Sequence, residues 1–89
     1  MEHCKYIIIE KNALELPIVF SPCMSHDYFS GLCVNIISAG FASFGTTKEG
    51  RASVCAFGES TTLKIKSRPE EDTNLLRRHI LGISPFWND

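Results

Sequence analysis

The stretch Ser67-Arg68-Pro69-Glu70-Glu71-Asp72, continued by Thr73-Asn74-Leu75-Leu76-Arg77-Arg78-His79-Ile80-Leu81-Gly82, is written as a helix from first turn to stop. Ser67 carries a hydroxyl that can cap the free N–H groups of a first turn. Glu70 stands three positions on, where a capping box places its acid. Pro69 lacks an N–H at a position where none is needed. Glu70, Glu71 and Asp72 meet the positive end of the helix dipole, and Arg77, Arg78 and His79 meet the negative end. Gly82 offers a C-terminal stop. Leu76, Ile80 and Ile83 recur at i, i+4 and i+7 with Leu75 and His79 beside them, a stripe that lays the helix on a sheet face.

Everything before this helix reads as sheet. Lys5 to Glu10 contains three isoleucines, a β-type run. Lys11-Asn12-Ala13-Leu14 is a connection in which Asn12 suits a left-handed turn. Glu15 to Phe20 follows with Leu16, Ile18 and Phe20 on one face, making a hairpin with the first run. Pro17 cannot donate to a ladder, so this second strand is expected at an edge. Ser25 to Gly31 is a short helix capped by Ser25 or an ordered loop. Cys33 to Phe44 is a long strand, and Ala39-Gly40 within it signals a bulge or a close backbone approach. Arg51 to Phe57 and Thr61 to Lys66 complete an antiparallel meander, with turns at Gly45–Gly50 and Gly58–Ser60. The expected fold is α+β, ββ(α)βββα, a single domain over residues 1–89. One antiparallel sheet of about five strands carries the C-terminal helix on one face.

Size and charge narrow the function classes. A chain of 89 residues buries a modest share of its surface, so dimerisation would add stability, and a homodimer is one expected state. Nine basic against ten acidic residues give a net charge of −1, which argues against nucleic acid as the main partner. The start Met1-Glu2-His3-Cys4-Lys5 has no signal-peptide design, and no apolar run reaches a membrane-spanning length. No membrane association is expected, and a cytoplasmic location is. Cys4, Cys23, Cys33 and Cys55 lack the close pairing of a zinc knuckle, so no metal or other cofactor is expected. Cys33 and Cys55 read as small buried hydrophobes.

Candidate chemistry is sparse. His26-Asp27 has the residue types of a general base with its orienting carboxylate, and Cys23, Cys33 or Cys55 could serve as a nucleophile. No spacing links them, and no catalytic residue is assigned. Gly58-Glu59-Ser60-Thr61-Thr62 is a hydroxyl-rich turn without the frame of a phosphate loop. Partner-binding candidates are Tyr28 and Phe29, the basic group Lys64, Lys66 and Arg68, and the terminal aromatics Phe86 and Trp87. Those last two either close the core or dock on a partner.

Three stretches carry a resemblance. They are Pro17-Ile18-Val19-Phe20-Ser21 with His26 soon after; Ser38-Ala39-Gly40-Phe41; and Cys55-Ala56-Phe57-Gly58-Glu59-Ser60, running through Leu63 to Ser67-Arg68-Pro69-Glu70. Together they are similar to a group of small uncharacterised proteins encoded by phages, prophages and other mobile elements, from about residue 5 to residue 81. The shared features are turns, a bulge and a helix cap, and no catalytic residues come with them. The resemblance implies a non-enzymatic protein-interaction module that binds a host protein or ribonucleoprotein complex and inhibits antiviral defence in the manner of anti-CRISPR or anti-restriction proteins. Two alternatives stand beside it. One is a nucleic-acid-binding accessory protein using Lys64, Lys66, Arg68, Arg77 and Arg78. The other is a small enzyme or ligand-binding fold using His26, Asp27 and Cys23 or Cys55.

Overall fold

A computed structural model describes residues 2–26 and 35–82. Six strands and one helix follow in the order β1 (Glu2–Lys11), β2 (Leu14–Phe20), β3 (Asn35–Thr46), β4 (Ala52–Phe57), β5 (Glu59–Ser60), β6 (Ile65–Lys66) and α1 (Pro69–His79). The expected short helix over 25–31 falls almost wholly outside the described residues, as do Asp27, Tyr28, Phe29, Cys33, Ile83, Phe86 and Trp87.

The β1–β2 hairpin turns through Asn12 (φ 54) and Ala13 (φ 65), both left-handed. This is the backbone of the two-residue turn that matches strand twist. Asn12 tolerates it, but Ala13 occupies a position that usually calls for glycine. Pro17 pairs opposite Ile8, and β2 is the outermost strand of the order β2-β1-β3-β4. The edge position follows from the missing N–H of Pro17.

All neighbours in this four-stranded sheet are antiparallel. Its central strand β1 begins the chain and β3 lies beside it. The register steps between Ile8 and Ile9, so that Ile8 faces Ser38 while Ile9 faces Ile36. The bulge is therefore at Ile37, ahead of the Ala39-Gly40 pair. Gly40 is the close approach: a Cβ there would lie 2.5 Å from the Phe57 carbonyl oxygen and 3.2 Å from the Ser67 Cβ.

The sheet has four strands, not five. The expected strand Thr61 to Lys66 is instead a turn followed by β6, and Lys64 has φ 57. Glu59 and Ser60, expected in a turn, form β5, pairing with Lys66 and Ile65 in a separate two-stranded sheet. This hairpin packs against β3, whose first half has no β4 partner because that pairing starts at Phe41. The hydroxyls of the hairpin hold its turn: Ser60 Oγ accepts the N–H of Leu63 at 3.2 Å and lies 3.3 Å from Thr62 Oγ1.

One face of the sheet is covered by α1 and the other in part, each by an apolar cluster. On one face Tyr6, Ile8, Ala42, Val54 and Ala56 pack with Leu75 and Leu76 of α1. On the other, Ile7, Phe20 and Ala39 pack with Met24 and with Leu63 and Ile65 around the small hairpin. An uninterrupted run such as Tyr6-Ile7-Ile8 suits a strand buried on both sides. The helix ends at His79, short of Gly82, and its inward residues are Asp72, Leu75 and Leu76. Ile80, expected in the stripe, is 45% exposed. Leu81 packs in its stead. Among the described residues no helix is long and apolar enough to cross a membrane.

Two substitutions test this arrangement. Ala13→Gly is expected to raise stability by about 0.5–1 kcal/mol in urea denaturation, by relieving the left-handed alanine. Leu76→Ala is expected to lower it by about 2–5 kcal/mol, since Leu76 is fully enclosed. A near-neutral Leu76→Ala would mean that α1 presents another face to the sheet.

Candidate functional site

The most concentrated polar chemistry in the described residues is a carboxylate with no solvent exposure. Asp72 sits at the end of the first turn of α1 and points into the sheet. Its Oδ2 accepts the Tyr6 hydroxyl at 2.6 Å and the Arg68 backbone N–H at 2.9 Å. Its Oδ1 accepts the Ser38 hydroxyl at 2.9 Å and the Arg68 side chain through Nε at 3.1 Å and Nη2 at 2.9 Å. Arg68 Nη2 also donates to Glu15 Oε1 at 2.8 Å. The network joins β1, β2, β3 and α1 through Tyr6, Glu15, Ser38 and Asp72, with Arg68 at the entry to the helix.

The register explains the convergence. Tyr6 and Ser38 lie on the helix-covered face, on neighbouring strands and one step apart along them. Asp72 comes down over both. Burial, reinforced by the hydrogen bond and charge of Asp72, pushes the Tyr6 hydroxyl well above the ordinary phenol range. Burial alone would lower the Arg68 guanidinium, but its bonds to Glu15 and Asp72 and their charges outweigh this and raise it. Every buried side-chain polar atom among the described residues has a partner. The buried part of this network is fully bonded, which holds the fold together, while Arg68 and Glu15 are partly exposed at its outer end.

The helix start differs from expectation in its capping. Arg68, not Ser67, is the N-cap residue, and no side chain caps the first turn in the usual direction. Asp72 performs the reverse half of a capping box by taking the Arg68 N–H, the part expected of Glu70, which is exposed. Ser67 is engaged elsewhere: its backbone N–H and its hydroxyl both donate to the Gly58 carbonyl, at 3.0 and 2.6 Å. Thr73 Oγ1, one residue beyond Asp72, accepts the Ala56 N–H of β4 at 2.9 Å, a second polar tie between helix and sheet.

His26 is buried, with Nε2 donating to the Gly40 carbonyl at 2.9 Å. Its ring stands edge-on to Phe20 and Phe41, at centroid distances of 5.4 and 5.8 Å. That is the environment of a structural histidine that pins the 21–26 segment to the sheet, together with Lys5 Nζ, which donates to the Met24 carbonyl at 2.8 Å. Cys55, expected to be buried, is exposed, because alternation along β4 turns Val54 and Ala56 toward the helix and Cys55 away from it. Cys23 is also exposed. Among the described residues no three His, Cys, Asp or Glu side chains gather as a metal site would require.

The basic candidates lie in different local settings. Lys64 lies in a left-handed turn and not in a strand with Lys66, which pairs opposite Glu59. The Arg68 guanidinium is turned to Asp72 and Glu15. The surface that sequence reasoning missed is aromatic. On the face away from α1, the register aligns Phe20, Lys5, Phe41 and Phe57 in one row across all four strands, and His3, Ser43 and Cys55 in the next. Phe41 and Phe57 are stacked at 5.8 Å. His3 stands edge-on to both, at 6.2 and 5.8 Å. Phe57 is 39% exposed and His3 is exposed. The alternation of β4 is the signal that could have found this corner, since Phe57 shares the outward parity of Cys55.

Two variants test the network. Asp72→Ala is expected to cost about 3–5 kcal/mol, a large part of a small domain's stability, measured by thermal and urea unfolding. Tyr6→Phe is expected to cost about 1.5–3 kcal/mol at neutral pH, the value of a hydrogen bond to a charged group. The folded state holds the Tyr6 proton more tightly than the unfolded chain does. Its contribution is therefore complete below about pH 10 and declines as pH rises beyond it. Tyr6→Phe should show a shallower alkaline loss of stability than the parent protein; an identical alkaline limb would disprove the role of the phenol.

No family model matches the chain, and no curated protein or solved structure matches it either.

Proposed function

We propose that the protein is a non-enzymatic interaction module that binds a host protein or ribonucleoprotein complex in the cytosol. The process we assign it is inhibition of antiviral defence. The observation that carries the interaction reading is the exposed aromatic corner of His3, Phe41 and Phe57. It lies on strands β3 and β4, which contain no charged residue between Asn35 and Thr46 or between Ala52 and Phe57. Aromatic enrichment with depletion of charge is the composition of an interface centre. The defence-inhibitor part rests on the resemblance of the three sequence stretches to proteins of phages and mobile elements. The buried histidine bonded to a backbone carbonyl and the closed Asp72 network favour this reading over an enzyme built on His26. The engagement of the Arg68 guanidinium by Asp72 and Glu15 weighs against a nucleic-acid patch that uses it.

The test is affinity purification of the tagged protein from its host, followed by mass spectrometry, with light scattering on the same sample to define its own oligomeric state. The expected result is a stoichiometric host complex that is lost with Phe57→Asp and retained with Asn74→Ala on the exposed side of α1. Both variants should melt close to the parent protein. Recovery of the protein alone, or undiminished capture by Phe57→Asp, would overturn the reading. A salt-sensitive shift with RNA or DNA would move it to the nucleic-acid alternative.

A further inference from the structure

We draw no further inference here: the strongest candidate, the aromatic corner of the sheet where His3, Phe41 and Phe57 meet, belongs to the surface already described and nothing in the structure shows what covers it.

Discussion

The negative charge of Asp72 has been taken fully out of water, and the arrangement of the sheet and helix depends on how it is compensated. An isolated carboxylate in such a place would cost many kcal/mol, and it is tolerated because five hydrogen bonds reach it, three of them from Arg68. Each donor fixes something different. Tyr6 fixes the helix over β1, Ser38 fixes it over the bulged strand β3, and the Arg68 backbone fixes where the helix begins. The guanidinium then carries the connection out to Glu15 on the edge strand. Apolar packing by Leu75 and Leu76 supplies attraction without direction, and the carboxylate supplies the direction.

The two faces of the sheet solve different problems. The helix-covered face combines large and small side chains, with Tyr6 and Ile8 against Ala42 and Ala56. The small residues let α1 come close enough for Thr73 to take a backbone N–H from β4. The opposite face is closed only over part of its area, by the 21–26 segment and the β5–β6 hairpin. Covering elements this short suffice because each is pinned by specific polar contacts: Lys5 and His26 hold the segment, and Ser67 holds the return of the hairpin through Gly58. Beyond their reach the rings of Phe41, Phe57 and His3 meet the surface.

Features set by neighbouring residues were legible in the sequence. The left-handed turn at Asn12, the edge position of the strand with Pro17, the close approach at Gly40 and the existence of α1 each follow from the steric limits of one or two side chains. Features set by distant partners were not. Local rules favour Ser67 and Glu70 as the cap, but Asp72 prevails because Tyr6 and Ser38, 66 and 34 positions away, satisfy it at once. The fifth sheet strand failed for a similar reason. Thr61–Lys66 has strand-like alternation, but β4 ends opposite Phe41, and the following residues fold into a hairpin of their own. The candidate surface was partly within reach, since alternation from Val54 settles the outward parity of Cys55 and Phe57.

The placement of the first strand at the centre of the sheet has a consequence for synthesis on the ribosome. The β1–β2 hairpin emerges early, yet the Tyr6 hydroxyl, Ile7 and Ile8 wait for β3 and then for a carboxylate 66 residues later. A two-stranded hairpin alone is at best marginally stable in water. Everything from β1 to α1 must therefore be made before the helix-covered cluster can close. A nascent chain thus carries the Tyr6-Ile7-Ile8 run uncovered while β2 to β6 are made, and its helix-side face closes only when α1 clears the exit tunnel.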